Sequence, residues 1–294
     1  MFADRAAHAT SELFEAQARW IADHAERYRI QFVLHEGDVV NDNLDAQWEV
    51  AARAFALLEG RVPFVVALGN HDYGPRGTCS DRSTLFDRYV DVRAIMARPS
   101  FGGCFEEGRI DDSYHLFDTP SGPWLVLALE FGPRDEVVEW AGDVLARHAS
   151  TPAILLTHAY TYDDGTRYDR RRTDQKWSPH VYGVAKQPGG VNDGEDLYQK
   201  LVRKHPNVQL VLSGHVLGRG AARLTSPQDG GSVVHQLLAN YQHRARGGDG
   251  YLRFIEVDAE RERIRVRTYS PVLDRYKNDD DDTFDLPLPR FRAR

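Results

Sequence analysis

The chain has 294 residues, of which 41% are hydrophobic, and this is enough to bury a large core. Its formal net charge of −7 argues against a nucleic-acid groove, because general affinity for nucleic acids needs a basic face. No run approaches the roughly 20 apolar residues of a membrane-spanning helix. We therefore expect a single domain over residues 1–294, with no membrane span.

The predicted elements alternate between helix and strand in the first part of the chain. Apolar residues at helical spacing predict one helix over about residues 12–28 and another over about residues 45–58. A short apolar run after each helix predicts a strand, one ending before Gly37 and one ending before Gly69. Residues 73–112 are rich in Gly, Arg, Ser and Asp, and we expect them to form a long excursion over the site.

The rest of the chain becomes richer in strands. Helices are predicted near residues 135–148 and 194–204, and a second long loop over about 160–192. The predicted strands lie near 113–118 and 124–130, before His158, before Gly214, and near 221–225, 233–239, 251–257 and 263–269. This order predicts a mixed α/β sandwich.

Four short polar segments follow predicted strands. They are Gly37-Asp38, Gly69-Asn70-His71-Asp72, Thr157-His158 and Ser213-Gly214-His215. A strand that ends in Asp, Asn or His presents an oxygen or nitrogen ligand at the edge of a sheet, and four such strands can direct their ligands to one point. Carboxylate, amide and imidazole ligands suit manganese, iron or zinc better than calcium, which prefers oxygen alone. The pattern predicts a site for a divalent transition metal.

In this order the segments resemble the motifs of the calcineurin-like metallophosphoesterases, from about residue 12 to the last predicted strands. The resemblance implies a two-sheet sandwich flanked by helices. It also implies an enzyme that hydrolyses phosphate mono- or diesters with a metal-bound hydroxide. It implies Asp38 as a bridging ligand, with Asn70, His158 and His215 completing one metal site. It also implies His71 as proton donor to the leaving group, held by Asp72.

The family pattern breaks at two places. Leu217 stands where the second His of the last motif belongs, and the first motif is absent. Residues 1–11 contain no apolar run that could form a core strand, although Asp4 and His8 offer substitute ligands. The chain resembles a bacterial branch whose first motif reads Asp-Thr-Gln. We therefore expect that the sandwich lacks its first strand, that the second metal site is incomplete, and that Met1 is internal to a longer protein. The alternative is a natural short form.

A second function stays open beside hydrolysis. The two breaks in the pattern also suit a weak or inactive relative that binds a phosphorylated ligand. A metallohydrolase of the metallo-β-lactamase type would need an H-x-H-x-D-H run, which this sequence does not contain. The substrate is expected to be a phosphorylated small molecule or macromolecule. The residues that bind the substrate and the oligomeric state stay open. The localisation also stays open, because residues 1–5 lack the apolar core of a signal peptide but a truncated start would have removed one.

Several other residues are expected to be structural. His35, His115 and His235 lie in or beside predicted strands and are expected to be core residues. The run Arg170-Arg171-Arg172 is expected to be solvated, with anion binding as the alternative. Cys79 and Cys104 are expected to be free thiols or one disulfide. Asp279 to Asp282 are expected to form a solvated loop. Residues 240–251 fit a loop that returns to the site, either as a substrate contact or as a tight structural turn. Tyr160, Tyr162, Trp177 and His180 either form a lid over an organic leaving group or pack as an ordinary loop.

Overall fold

The computed structural model describes residues 11–290. Its helices are α1 Ser11–Tyr28, α2 Asp45–Ala56, α3 Phe86–Tyr89, α4 Val92–Met96, α5 Asp135–Arg147 and α6 Gly194–Lys200, with a further helical turn at Ala245–Gly248. Its strands are β1 Val33–His35, β2 Phe64–Val66, β3 Phe101–Cys104, β4 Ser113–Thr119, β5 Gly122–Leu129, β6 Ala153–Thr157, β7 Val208–Ser213, β8 Ala221–Pro227, β9 Val233–Ala239, β10 Leu252–Asp258, β11 Arg263–Ser270, β12 Arg275–Lys277 and β13 Thr283–Pro287.

The larger sheet has seven strands in the order β3-β4-β5-β6-β7-β9-β8. Strands β5, β6, β7 and β9 pair in parallel, and the outer pairs are antiparallel. Parallel neighbours need a crossover connection, and α5 and α6 provide it on either side of β6. The carboxyl ends of β6 and β7 therefore lie side by side, and they lead directly into His158 and His215.

A second layer packs against one face of this sheet. It consists of the parallel pair β1-β2 and an antiparallel group formed by β10, β11, β12 and β13. Val65 of β2, Leu212 of β7 and Val266 of β11 belong to one hydrophobic cluster, so both parts of the second layer share a core with the seven-stranded sheet. The opposite face of that sheet packs against α5 and α6, and β1 and β2 pack against α1 and α2. The predicted α/β sandwich with flanking helices is confirmed.

Two regions differ from the sequence-based prediction. The excursion over residues 73–112 contains α3, α4 and β3, and further strands, β12 and β13, follow residue 270. Strand β3 is difficult to predict because its sequence, Phe-Gly-Gly-Cys, has little strand propensity. It pairs with β4 because the ring of Tyr114 lies over Gly102, where a Cβ atom would be 2.1 Å from the ring.

The structure also allows three smaller expectations to be checked. Cys79 and Cys104 are free thiols. The prediction of a solvated acidic loop is wrong for Asp282, which is buried and paired with Lys277 and Arg253. No helix within residues 11–290 is both long enough and apolar enough to cross a membrane. Asp4 and His8 lie outside the described residues.

Candidate metal centre

Two tight turns place ligand-type side chains at the ends of β1 and β7. Asp38 follows β1 with a φ of 51°, and His215 follows β7 with a φ of 68°. Both values lie in the left-handed region, which is rare for residues other than glycine and common at functional sites. Gly37 precedes Asp38 with a φ of 93°, and a Cβ atom there would lie 2.6 Å from His158 Nδ1. Only glycine allows the backbone to pass so close to the histidine.

The turns bring Asp38, His158 and His215 together. One ligand atom from each lies within 4.8 Å of the other two, and all three residues are buried. His158 Nε2 is 3.1 Å from Asp38 Oδ2. Asn70 is 3% exposed, and its Oδ1 atom has no hydrogen-bond partner among the described residues. A buried oxygen without a partner is costly, so it indicates a missing electropositive group, and this donor set fits a divalent cation.

Backbone carbonyl groups fix the orientation of both imidazoles. His158 Nδ1 is 2.5 Å from the carbonyl oxygen of Glu36, and His215 Nε2 is 2.7 Å from that of Trp177. Because a carbonyl only accepts hydrogen bonds, these two ring nitrogens carry the protons. His215 Nδ1 is therefore a nitrogen with a lone pair, and His158 Nε2 becomes one when the proton that it shares with Asp38 is removed, which is the arrangement typical of histidine ligands.

The charges at this centre are coupled. Burial opposes ionisation of Asp38, but the adjacent His158 outweighs it and lowers the pKa of the carboxyl group. Burial also disfavours a charged His158, yet Asp38 raises the pKa of that imidazole. Burial, reinforced by His158, lowers the pKa of His215 to about 3. In the absence of a cation, Asp38 and His158 therefore form an ion pair, and His215 is neutral and ready to bind one.

Asp72, which was predicted to hold the side chain of His71, contacts the backbone around Asp38. The carboxylate of Asp72 accepts hydrogen bonds from the backbone N–H groups of Val39, Val40 and Gly69, at 3.2, 2.9 and 2.8 Å. Burial, followed by the charge of Asp38, raises the pKa of Asp72 to about 6. Asp72 therefore braces the turn that carries Asp38, and it acts on the centre through the backbone.

His71 is oriented by other groups. Its Nδ1 atom donates to the carbonyl oxygen of Asn41 at 2.7 Å, and its backbone N–H donates to Asp38 Oδ1 at 3.0 Å. The second contact connects the Asn70-His71 segment directly to the carboxylate of Asp38. The structure thus places the Asn70–Asp72 turn against Asp38, whose carboxylate lies close to His158 and His215.

The family of the chain follows from comparison with known proteins. Residues 8–219 match the family model described as calcineurin-like phosphoesterase. The chain belongs to this family. It is also 31% identical over 297 residues to the Bacillus subtilis (strain 168) protein YvnB, which is described as uncharacterized. That alignment covers 95% of this chain and 21% of YvnB, so the chain spans about a fifth of the length of its relative.

Two solved structures share the phosphoesterase fold. One is the purple acid phosphatase PPD1 from seeds of yellow lupin (Lupinus luteus), with a TM-score of 0.54 and 17% identity, covering 94% of this chain and 49% of that one. The other is GAP50, the anchor in the inner membrane complex of Plasmodium, with a TM-score of 0.51 and 11% identity, covering 97% of this chain and 87% of that one. At these identities the similarity shows the fold alone.

An aromatic wall around His215 was not predicted from the sequence. The ring centroids of Phe131, Tyr168 and Tyr182 lie 5.3, 5.8 and 6.2 Å from that of His215. Tyr168 and Tyr182 come from the loop over residues 160–192, which also provides the carbonyl of Trp177. The motif spacing gave no signal for these contacts, because they join residues that are far apart in sequence.

The remaining predicted residues lie away from the ligands or support them. Arg171 and Arg172 form ion pairs with nearby carboxylates of the same loop, as expected for a surface run. His115 and His235 are each 1% exposed, as expected for core residues. Asn240 returns to the site, because its Nδ2 atom donates to the carbonyl oxygen of His215 at 3.0 Å.

A second buried cluster has metal-compatible geometry, and it consists of Asp111, Asp112 and Glu130. Here arginines supply the positive charge. Arg109 lies 2.6 Å from Asp111, while Arg134 and Arg82 lie 3.0 and 3.3 Å from Glu130. The guanidinium groups account for the burial of these carboxylates without a metal ion.

Proposed function

We propose that this chain is a metal-dependent hydrolase of phosphate mono- or diesters. The convergence of Asp38, His158 and His215, with ligand atoms within 4.8 Å of one another, carries the proposal. The unpartnered Oδ1 atom of Asn70 supports it as a fourth ligand. In the proposal Asp38, Asn70, His158 and His215 hold one manganese, iron or zinc ion, and Leu217 leaves a second position incomplete.

The residues around the ion divide the chemistry between them. A divalent cation bound there would polarise the phosphoryl oxygens and lower the pKa of water towards neutrality. His71 is proposed to protonate the leaving-group oxygen from Nε2, because its Nδ1 atom is committed to Asn41. Asp72 is proposed as a positioning residue, since it accepts hydrogen bonds from the backbone N–H groups of Val39 and Val40, which directly follow Asp38.

We also propose that residues 1–294 form one domain and that its sandwich lacks the first strand. Within residues 11–290, β1 has β2 as its single strand neighbour, and β10 has β11 as its own. Both strands pack on the same face of the larger sheet, which supports a place for one more strand between them.

A second candidate function is a weak or inactive relative that binds a phosphorylated ligand. Leu217 favours this candidate, because a leucine side chain cannot bind a metal ion. The complete ligand set at the other position favours hydrolysis. The two functions predict the same metal content but differ in turnover.

Turnover assays on the purified chain test the proposal. The substrates are p-nitrophenyl phosphate and bis(p-nitrophenyl) phosphate, each with added manganese, zinc or iron. Hydrolysis that a chelator stops, and that His215→Ala abolishes, is the expected result. His148→Ala is the matched control, since His148 directly follows α5 and precedes β6, at the opposite end of that strand from His158. Bound metal without any turnover would favour the binding function instead.

A further inference from the structure

Tyr182 places a phenol group beside the candidate metal centre. Its ring packs edge-on against Phe131, with ring centroids 5.2 Å apart, and its centroid lies 6.2 Å from that of His215. Phe131 in turn packs against His158, with ring centroids 6.0 Å apart. Tyr182 is half-buried, so part of its side chain packs on this wall and part of it reaches solvent. The phenol is therefore next to two proposed ligands and accessible to a small molecule.

The hydroxyl group of Tyr182 has no hydrogen-bond partner among the described residues. The hydroxyl of Tyr168, whose ring is similarly close to His215, donates to the carbonyl oxygen of Lys176 at 3.0 Å. The hydroxyl of Tyr162, whose ring packs against Tyr168, accepts from the backbone N–H of Lys176 at 3.2 Å. Of these three tyrosines, Tyr182 is thus the one whose hydroxyl is available to a bound molecule.

The charge of Asp38 acts on the hydroxyl of Tyr182. Burial raises the pKa of this phenol, and the negative charge of Asp38 raises it further. The hydroxyl oxygen therefore lies within electrostatic range of the carboxylate that the proposed metal site is built on. A neutral phenol at this place is a hydrogen-bond donor.

The backbone near Tyr182 is fixed to the segment that follows His71. The N–H of Val184 donates to the carbonyl oxygen of Cys79 at 3.0 Å, and the N–H of Cys79 donates to that of Tyr73 at 3.0 Å. Tyr73 lies two positions after His71 in sequence. The phenol is therefore held in place before a substrate binds. A donor that is positioned in advance needs little reorganisation during the reaction.

We propose that the hydroxyl of Tyr182 donates a hydrogen bond to a non-bridging oxygen of the phosphoryl group bound at the centre, which makes Tyr182 a further catalytic residue. The proposal rests on the proposed function, because it needs a phosphoryl group at this place. Non-bridging phosphoryl oxygens carry negative charge throughout phosphoryl transfer, and fixed donors directed at them stabilise that charge. No described arginine or lysine is part of the proposed ligand set, so a neutral donor adds to what the ligands provide.

Binding of inorganic phosphate tests this contact separately from turnover. The wild-type chain and Tyr182→Phe are loaded with manganese or zinc, dialysed to remove free metal, and titrated with inorganic phosphate in a calorimeter. Tyr182→Phe keeps the ring on Phe131 and removes only the hydroxyl, so its metal content should be unchanged. Its affinity for phosphate should fall at least about tenfold, as expected for one lost hydrogen bond to a charged group.

Tyr276→Phe is the matched control. Tyr276 lies on β12, packs against Tyr269, and also has a hydroxyl without a partner among the described residues. Its removal should leave the affinity for phosphate at the wild-type value. A loss in Tyr276→Phe as large as that in Tyr182→Phe would overturn the proposal, because the effect would not be specific to the centre.

Turnover of bis(p-nitrophenyl) phosphate distinguishes failure of this proposal from failure of the proposed function. Weaker phosphate binding by Tyr182→Phe, with kcat/KM at least about tenfold lower, would support both. Weaker binding in a chain without turnover would support the contact and favour the binding function. Equal phosphate affinity of Tyr182→Phe and the wild type would overturn the contact, even where hydrolysis is observed. Loss of metal in Tyr182→Phe, or no phosphate binding by the metal-loaded wild type, would also overturn it. A wild-type chain that retains no metal would overturn both proposals.

Discussion

The centre at Asp38 and the cluster at Asp111 both bury three ligand-type side chains within reach of one another, but their surroundings differ. At the first, one carboxylate meets two imidazoles whose outer nitrogens are held by backbone carbonyls. At the second, three carboxylates meet Arg82, Arg109 and Arg134. Ligand-type side chains thus lie close together in both clusters, and the two clusters differ in the source of their positive charge.

A candidate metal centre differs from a buried ion network in the source of the positive charge next to its carboxylates. A buried carboxylate needs a positive partner, and guanidinium groups already provide it around Glu130. Around Asp38 the positive charge comes from His158, whose proton a metal ion can replace. Both places bury an oxygen without a hydrogen-bond partner among the described residues, Asn70 Oδ1 and Glu130 Oε2, but Glu130 Oε2 lies 3.3 Å from the guanidinium group of Arg82.

Removal of His215 is expected to have the largest effect. His215→Ala deletes a ligand whose lone pair on Nδ1 faces the centre, and it should lower metal affinity by more than about 100-fold, beyond the usual cost of changing an outer partner. Isothermal titration with zinc and manganese measures this affinity. Metal bound at wild-type stoichiometry by His215→Ala would refute the assignment of this ligand.

Replacement of Glu130 is expected to affect stability and leave the metal in place. Glu130→Ala leaves Arg82 and Arg134 without their buried partner, and breaking a buried pair in this way costs about 3–5 kcal/mol. Urea denaturation measures the loss in the free energy of unfolding. A stable Glu130→Ala chain that no longer binds metal would reverse our interpretation of the two clusters.

Replacement of His71 should separate metal binding from turnover. His71→Ala keeps the four proposed ligands, so metal content should be unchanged, while loss of a proton donor should slow hydrolysis about 100-fold. The slowing should be greatest for alkyl phosphates, whose leaving groups need a proton, and smallest for p-nitrophenyl phosphate. If rates fall equally for both kinds of substrate, His71 is not the proton donor.

The smallest expected effect is a pH dependence from the loop that covers the centre. His180 Nε2 lies 3.1 Å from Asp193 and 3.5 Å from Asp196, and these carboxylates raise the pKa of His180 to about 9. Its contribution to stability is therefore complete below the unfolded pKa of about 6.5 and is lost as pH rises through about 9.

Unfolding by urea between pH 6 and pH 10 measures this contribution. The stability of the wild-type chain should fall over that interval, and the fall should be smaller in His180→Gln, which keeps a donor but does not titrate. Identical pH profiles for the two chains would show that His180 does not hold the loop through its charge.

Much of the candidate site was predictable because its proposed ligands follow strands directly. Asp38, Asn70, His158 and His215 each come shortly after an apolar run, and the sheet topology brings those strand ends together. The partners of these ligands were not predictable. Trp177 is 38 positions from His215, and no local pattern signals a contact between them. The family resemblance implied that Asp72 holds His71, whereas its carboxylate contacts Val39 and Val40, more than 30 positions away.

The same division holds for the fold. The amphipathic helices α1, α2 and α5 were predictable from their spacing, since each buries one apolar face. Strand β3 was not, because two of its four residues are glycines, which have little strand propensity. Arg82 was noted only in the composition of residues 73–112, because it lies 48 positions away from Glu130, its partner, in sequence.

Metal content per chain tests the central claim most directly. Inductively coupled plasma mass spectrometry would be applied to the wild-type chain, His215→Ala and Glu130→Gln after incubation with manganese or zinc and extensive dialysis. We predict about one transition-metal ion per chain in the wild type and in Glu130→Gln, and none in His215→Ala, as expected for a single site with four ligands. No metal in the wild-type chain, or loss of metal in Glu130→Gln alone, would contradict the account.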